Sequence, residues 1–176
     1  ISRNKMQLRR SNILLSDVVA NAVEAVQPLV DAANHRLRVE LPPQPVLLDA
    51  DLTRLAQVFG NLLTNSVKYT PPGGEISLVA NRDGGDLVVT VRDNGIGIPA
   101  DFLPQIFDMF SQVDRSVERA SGGLGIGLAL VKGLVEMHGG TVSATSDCNP
   151  DSGSRGSEFT VRLPTRYSGP RPKSNA

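Results

Sequence analysis

Three polar side chains of one predicted helix have the chemistry to bind a metal ion and phosphate. Asn61, Asn65 and Lys68 are spaced by four and three residues, which places them on one helical face. Asparagine is a mediocre helix former, so two of them one turn apart inside a helix need a reason. Their amide oxygens are hard, neutral ligands that suit a Mg²⁺ ion already carrying phosphate oxygens and water. A plain solvated face is the alternative, and the polar stripe alone would favour it.

A carboxylate at the end of a predicted strand is the second candidate group. Apolar residues alternate from Leu87 to Val91, and Asp93 continues their parity, so its side chain should point into the core. A buried carboxylate needs a partner, and the exocyclic amine of a purine would supply one. Gly95 and Gly97 follow, where glycine lets the backbone approach a ligand closely. An ordinary Asp-Asn-Gly turn is the alternative, and it would be favoured if this loop stood alone.

A second glycine-rich segment, Gly122–Leu128, opens a further predicted helix. Free N–H groups and the positive end of a helix suit a polyphosphate. The segment is not a P-loop, because no Gly-Lys-Ser/Thr follows, and it lacks the strand and distal carboxylate of a dinucleotide fold. A flexible hinge into a buried helix is the alternative, but glycines at a helix start cost stability, which favours a functional role.

Helices and strands must bring these groups together. Helical spacing predicts one helix from a cap at Ser16 or Asp17 to about Asn34, one from a cap at Asp51 to about Tyr69, and one over Leu124–His138. Alternation predicts strands over Leu37–Leu41, Val46–Leu48, Glu75–Asn81, Asp86–Asp93, Thr141–Thr145 and Glu158–Leu163. Short helical pieces are expected over Asp101–Phe110, followed by a mobile loop over Ser111–Gly123. Together these elements predict a two-layer α/β sandwich.

Composition limits the class of protein. The 176 residues are 40% hydrophobic, enough for one domain with its own core. The 18 basic and 18 acidic side chains balance, which gives no electrostatic reason to expect nucleic acid or an anionic membrane as partner. Aromatic residues make up only 4%, which disfavours a stacking platform for single-stranded nucleic acid. The single Cys148 forms no internal disulfide and is given only a surface or packing role.

In order and spacing, these motifs resemble those of the GHKL superfamily of ATP-binding proteins, and most closely those of the histidine kinases. The similarity rests on an N box at Asn61–Pro71, a G1 box at Asp93–Pro99, an F box at Ile106–Phe110, a G2 box at Gly123–Leu128 and a closing stretch at Gly139–Pro164. It covers Leu15–Pro164, nearly the whole chain. It implies the Bergerat fold, a mixed, mostly antiparallel sheet of about five strands on about three helices, with a mobile ATP lid.

The resemblance also implies ATP and Mg²⁺ as cofactors and gives individual residues roles. Asn65 would coordinate Mg²⁺, with Asn61 beside it or on the phosphates. Lys68 would contact phosphate, Tyr69 would flank the adenine and Asp93 would accept its amino group. The other positions implied at the nucleotide or its lid are Gly95, Gly97, Ile98, Phe107, Phe110, Gly123, Leu124, Gly125, Gly127 and Leu128. The G1 glycines would shape the base pocket, and the G2 glycines would admit the phosphates. The two phenylalanines would anchor the lid, or they are simply core aromatics.

The first residue of the N box bears on the type of reaction. The ATPases of the superfamily carry Glu there as base for the attacking water, whereas this chain has Asn61, which cannot accept a proton at neutral pH. The resemblance therefore implies phosphoryl transfer to a histidine rather than efficient hydrolysis. His35 and His138 have no acidic neighbour and are interpreted as structural or surface residues. We therefore expect the phosphoacceptor on a separate domain and assign no catalytic residue within this chain.

The expected organisation has three parts. Residues 1–14 are the tail of a preceding dimerisation and phosphoacceptor helix or a linker, residues 15–165 the catalytic ATP-binding domain, and residues 166–176 a disordered tail or linker. The expected partners are the phosphoacceptor domain of the same protein and the receiver domain of a response regulator, without nucleic acid or membrane contact. The full-length protein is expected to be a homodimer and this fragment a monomeric cytoplasmic domain, whether its parent is membrane-anchored or soluble.

Two other classes are alternatives to a histidine kinase domain. One is an anti-sigma-factor-type serine kinase, which the complete N box, the F box and the long Ser111–Gly123 loop disfavour. The other is a non-catalytic nucleotide-binding pseudokinase, which the intact boxes disfavour. Nucleotide affinity is the observation that separates the last alternative from an active kinase.

Overall fold

The computed structural model describes residues 7–108, 126–148 and 155–165 of the chain. The helices in these ranges are α1 (Leu15–Ala32), α2 (Leu52–Tyr69) and α3 (Ile126–Met137). The strands are β1 (Ser11–Leu14), β2 (Arg36–Glu40), β3 (Leu47–Ala50), β4 (Glu75–Asp83), β5 (Asp86–Asp93), β6 (Thr141–Asp147) and β7 (Gly156–Pro164). Each predicted strand and α-helix is present, with small shifts at its ends, except that the predicted start of the last helix at Leu124 lies outside the described residues. No helix in the described ranges is both long and apolar enough to cross a membrane.

Five strands form one sheet in the order β2-β4-β5-β7-β6. β2 runs parallel to β4, and the other neighbours are antiparallel. β1 and β3 form a separate antiparallel pair. The register of β5 with β7 sets Asp93 opposite Ser157, so the ends of these strands meet at one edge of the sheet. The main sheet is therefore mixed and mostly antiparallel, as predicted.

The helices form a second layer, with α2 at its centre. α2 packs against α1 and α3, and it also contacts β4 and β5 of the sheet. The buried face of α2 consists of Leu55, Val58, Phe59, Leu62, Leu63 and Ser66. The inward side chains of β5 that meet this layer are the fully buried Leu87, Val89 and Val91. Removing these apolar side chains from water is the main force that holds the two layers together. The predicted two-layer α/β sandwich is confirmed.

The start of α1 differs from the prediction. Ser16 or Asp17 is predicted as its cap, and this is wrong, because the helix begins at Leu15, directly after Leu14, without a side-chain cap. The physical reason is β1, a strand that the sequence pattern does not predict and that leads straight into the helix. The Leu15 N–H donates to the Val46 carbonyl at 3.0 Å. The chain before β3 thus accepts one of the N–H groups that the start of a helix leaves unpaired.

The start of α2 is capped as predicted. Asp51 accepts the N–H of Arg54 at 3.1 Å through Oδ1 and the N–H of Arg9 at 2.9 Å through Oδ2. Burial alone would raise the pKa of Asp51, but the two N–H donors and the positive charge of Arg54 together outweigh it, so the pKa is lowered from 3.8. The Asp51 N–H also donates to Nε2 of His138 at 3.2 Å. Asp51 therefore ties the segment before β1 to the start of α2 and the end of α3.

Replacing Asp51 by alanine should lower the free energy of unfolding by about 1–2 kcal/mol at pH 7, because the cap and an acceptor for two N–H groups are lost. The folded pKa of Asp51 is depressed, so its contribution is present above 3.8 and is lost as pH falls through the folded value. Urea unfolding at pH 7 and at about pH 3 measures both effects. Glu24→Ala, at an exposed position of α1, is the control. An equal loss at both pH values would contradict the electrostatic part of this explanation.

Candidate functional site

The polar face of α2 carries the predicted metal and phosphate ligands. Asn61 and Asn65 are half-buried and Lys68 is exposed, while the opposite face of the helix is buried. The Asn61 amide donates a long hydrogen bond of 3.5 Å to the Gly127 carbonyl. A Cβ added at Gly127 would lie 3.9 Å from the same amide nitrogen, which is the nearest atom it would meet. Asn61 therefore contacts the first turn of α3, and the N box lies next to the described end of the G2 box.

The donors on this face fit a metal ion that brings ligands of its own. Nowhere in the described ranges do three or more His, Cys, Asp or Glu side chains form a group that could hold a metal ion. Asn61 and Asn65 offer neutral amide oxygens instead, which suit Mg²⁺ when phosphate oxygens and water complete its coordination shell. The chemistry of these donors thus fits a metal that arrives with a nucleotide.

Asp93 ends β5 with its side chain inside the protein, as strand parity predicts. The residue is 4% exposed, and its Oδ1 accepts the N–H of Gly95 at 2.9 Å and that of Ser157 at 3.3 Å. Burial raises the pKa of Asp93. The Gly95 N–H, the Ser66 hydroxyl and the Ser157 N–H favour the charged form, but their combined effect is smaller than that of burial. The carboxylate is therefore a poorly solvated acceptor, and a donor from a ligand would stabilise it.

The first half of the loop after β5 is fixed to the end of α2. The Ile96 N–H donates to the Tyr69 carbonyl at 3.0 Å. A Cβ added at Gly95 would overlap the same Tyr69 carbonyl oxygen and would come within 2.8 Å of Thr70 Oγ1. Gly95 is thus required by the close approach of two backbones. The loop therefore holds the backbone of Tyr69, the residue predicted to flank the adenine, against Gly95 and Ile96, which follow Asp93 in the chain.

The second half of the loop packs on the end of β6. Gly97 has a φ of 77°, in the left-handed region that favours glycine, and a Cβ there would come within 2.7 Å of the Asp147 carbonyl oxygen. The Ile98 N–H donates to the Ser146 hydroxyl at 2.6 Å. Cys148 has a packing role here, because its Cβ would lie 2.9 Å from a Cβ at Gly97. Gly97 and Ile98 therefore hold the loop between α2 and β6.

Part of the predicted lid falls outside the described residues. This applies to Phe110, Gly123, Leu124, Gly125 and the loop Ser111–Gly123. Residues 101–108 contain one 3₁₀ turn, Leu103–Gln105, in place of the predicted series of helical pieces. Phe107 packs edge to face on Phe159, with ring centroids 6.1 Å apart and planes at 85°, which is the contact of a core aromatic. Leu128 belongs to the core as well. Roles of Phe107 and Leu128 at the nucleotide stay predictions.

Both histidines are buried, which confirms the structural interpretation over the surface one. His35 accepts the Gly74 N–H at 3.1 Å through Nδ1, and its Nε2 donates to the Val67 carbonyl at 3.2 Å. His138 donates from Nδ1 to the Leu134 carbonyl at 2.7 Å and accepts the Asp51 N–H through Nε2. Each ring thus faces one N–H donor and one carbonyl acceptor, so both of its nitrogens are engaged. In this geometry, neither ring has a nitrogen free to attack a phosphoryl group.

Three hydroxyl residues at the site are not among the predicted ligands. Ser66 and Thr70 are buried at the end of α2, and Ser157 faces Asp93 across the β5–β7 pair. Ser66 carries a signal in the sequence, since it is a polar residue on the apolar side of the helix. Ser157 carries none, because its closeness to Asp93 depends on the pairing of strands far apart in the chain.

A polar cavity of about 270 Å³ opens at the ends of β5, β6 and β7. It is lined by Arg92, Asp93, Thr145, Ser146, Asp147, Arg155, Gly156, Ser157 and Glu158. Of the predicted site residues, only Asp93 contributes to this lining. The cavity therefore reaches the carboxylate from the edge of the sheet, and the asparagine face of α2 lies outside it.

The sequence matches a known protein family and proteins named as histidine kinases. Residues 50–167 match the family described as histidine kinase-, DNA gyrase B- and HSP90-like ATPases. The sequence is 38% identical over 162 residues to the circadian input-output histidine kinase CikA of Thermosynechococcus vestitus. The matched region covers 91% of this chain and 22% of CikA. The chain spans about a fifth of the length of the first curated relatives that it matches.

Solved structures of histidine kinases share the fold. The mycobacterial sensor histidine kinase MprB matches with a TM-score of 0.75 at 26% identity, over 89% of this chain and 98% of that one. Full-length ShkA in complex with AMPPNP matches with a TM-score of 0.76 at 27% identity, over 94% of this chain and 33% of that one. The sheet and its layer of helices are thus an arrangement that histidine kinases adopt.

Proposed function

Because the chain belongs to the family of histidine kinase-, DNA gyrase B- and HSP90-like ATPases, we propose that it is the ATP-binding catalytic domain of a sensor histidine kinase. The observation that carries the proposal is Asp93, buried at the end of β5 with Oδ1 taken by two backbone donors. A carboxylate so placed accepts the 6-amino group of adenine as a further donor. The similarity to proteins named as histidine kinases supports the kinase branch of the family.

The phosphates are proposed to lie between α2 and α3. Asn65 holds Mg²⁺ together with Asn61, and Lys68 contacts a phosphate from the same face. Mg²⁺, when bound, neutralises charge on the transferred phosphoryl group. The Asn61 contact with the Gly127 carbonyl supports this placement, because it joins the two segments. An asparagine at position 61 cannot serve as base for water, which supports transfer rather than hydrolysis.

The acceptor is proposed to be a histidine on another domain of the same protein. His35 and His138 are buried and hydrogen-bonded through both ring nitrogens, which supports an acceptor outside this chain. The domain would act within a cytoplasmic homodimer, whether the parent protein is membrane-anchored or soluble. A response regulator receiver domain would then take the phosphoryl group from the phosphohistidine.

Calorimetry with ATP tests the nucleotide site. The chain should bind ATP, and more tightly with Mg²⁺ than with a chelator. Replacing Asn65 by alanine should remove this Mg²⁺ effect and weaken binding in Mg²⁺ by at least about tenfold, because even outer-shell partners of a metal contribute that much. Thr53→Ala, at an exposed position of the same helix, is the control. A folded chain that binds no ATP would contradict the proposed function.

Phosphoryl transfer tests the kinase assignment itself. The chain is incubated with labelled ATP, Mg²⁺ and the histidine-bearing dimerisation domain of its parent protein. The label should appear on that domain in the acid-labile form of a phosphohistidine. Strong ATP binding with release of free phosphate and no labelled domain would indicate an ATPase instead.

A further inference from the structure

Two buried hydroxyl groups near the end of α2 lack a partner. Ser66 Oγ and Thr70 Oγ1 are the buried side-chain polar atoms without a hydrogen bond in the part of the chain that the structure describes. Ser66 is fully buried and Thr70 is 4% exposed. An unpaired buried hydroxyl is unfavourable, so such a group calls for an explanation by a bound ligand or water.

Both hydroxyls flank the Asp93 carboxylate. Burial raises the pKa of Asp93, and the nearby Ser66 hydroxyl is among the groups that lower it, although its geometry falls short of an ordinary hydrogen bond. A Cβ added at Gly95 would lie 2.8 Å from Thr70 Oγ1 and 2.9 Å from Asp93 Oδ1, so these two oxygens border the same small space. The two unpaired hydroxyls therefore lie beside the Asp93 carboxylate.

The two oxygens of Asp93 differ in their partners. Oδ1 accepts the N–H groups of Gly95 and Ser157, and no backbone donor in the described ranges reaches Oδ2. The Ser66 hydroxyl rotates freely about its Cβ–Oγ bond and is a donor for a carboxylate beside it. This hydrogen bond is completed if ligand binding brings the hydroxyl and the carboxylate within hydrogen-bond distance. Ser66 would then be satisfied by Asp93, and the carboxylate would gain a third donor.

We propose that Ser66 is a specificity-determining residue of the nucleotide site, whose hydroxyl donates to Asp93 in the bound state and so favours purines with a 6-amino group. The inference rests on the proposed function. A carboxylate that three donors keep ionised accepts a hydrogen bond from a 6-amino group. A 6-oxo purine presents an oxygen instead, and two acceptor oxygens repel each other. Without the Ser66 hydroxyl, Asp93 takes up a proton more easily and can donate to a 6-oxo group. Ser66 thus penalises 6-oxo purines.

Titrating ATP and inosine triphosphate into the parent chain and into Ser66→Ala tests the inference, since these nucleotides differ at position 6 of the purine. The parent should prefer ATP, and Ser66→Ala should reduce that preference by about tenfold, the usual scale of a hydrogen bond to a charged group. Alanine differs from serine only by the missing hydroxyl and introduces no clash, so the variant should fold. Thermal unfolding checks this. Thr53→Ala is the matched hydroxyl deletion on α2 and should keep the preference of the parent.

The possible outcomes separate this inference from the proposed function. A parent chain that prefers ATP, with an unchanged preference in Ser66→Ala, would overturn the role of Ser66 alone. A reduced preference shared equally by Thr53→Ala would also overturn it, because the effect would then not depend on the hydroxyl beside Asp93. A folded parent that binds neither nucleotide would overturn the proposed function and the inference with it.

Discussion

Replacing Asp93 by asparagine should strongly weaken ATP binding while the protein stays folded. The two side chains have the same shape. The asparagine Oδ1 can keep the hydrogen bonds that Asp93 Oδ1 accepts from Gly95 at 2.9 Å and from Ser157 at 3.3 Å in the parent protein. The second atom becomes an NH₂ donor and would face the amino group of adenine, donor against donor. Loss of a charge-assisted hydrogen bond together with this contact should weaken binding by about 100-fold or more, as measured by calorimetry.

The same substitution has an expected effect on stability, and its sign follows from the pKa. Burial raises the folded pKa of Asp93 above 3.8, so the charged carboxylate disfavours the folded state at neutral pH. This cost disappears as pH falls through the folded pKa, where the native protein takes up a proton before the unfolded chain does. Asp93→Asn should therefore unfold at an equal or higher urea concentration than the parent at pH 7, and the advantage should shrink on acidification.

Asp93→Ala is the informative companion variant. It leaves the buried N–H groups of Gly95 and Ser157 without their acceptor, so it should lose stability as well as ATP binding. Comparing the two variants separates a role in holding the loop from a role in binding the base. An Asp93→Asn protein with the ATP affinity of the parent would contradict the adenine contact, whatever the alanine variant does.

Patterns among neighbouring residues were sufficient to predict the strand and the helix that position the Asp93 carboxylate and the polar face of the site. Strand parity predicts that Asp93 points inward, because the pleat alternates side chains without regard to distant contacts. Asp51 is predicted as a cap from its place before an apolar repeat, and the structure confirms it. The polar face with Asn61 and Asn65 follows from helical spacing alone. In each case, the residues that determine the prediction lie within a few positions of one another in the sequence.

Contacts between distant segments were not predictable in this way. β1 pairs with β3 across some 35 residues, and its four residues show no alternation that would reveal a strand. Because that pair leads the chain into α1, the helix needs no cap at Ser16 or Asp17, and a rule based on neighbouring residues fails there. Ser157 reaches Asp93 only through the register of β5 with β7. The structure was needed to show that these distant groups share one carboxylate.

Replacing Gly95 by alanine should have the second large effect. A methyl group at this position would overlap the Tyr69 carbonyl oxygen and would come within 2.8 Å of Thr70 Oγ1 and 2.9 Å of Asp93 Oδ1. The Tyr69 carbonyl cannot simply move away, because it accepts the Ile96 N–H at 3.0 Å. The loop must therefore leave α2, and overpacking of this kind costs about 1–3 kcal/mol of unfolding free energy.

The displaced loop should also cost ATP affinity, by about 100-fold if the Asp93 contact is lost with it. Gly60→Ala is the matched control, since Gly60 lies on α2 and a Cβ there meets nothing within 4 Å. That variant should be as stable as the parent or more so, because alanine favours a helix over glycine by up to about 1 kcal/mol. A Gly95→Ala protein that is destabilised but binds ATP like the parent would mean that the base does not depend on this loop. The adenine would then have to contact Asp93 from the cavity at the sheet edge, away from Tyr69.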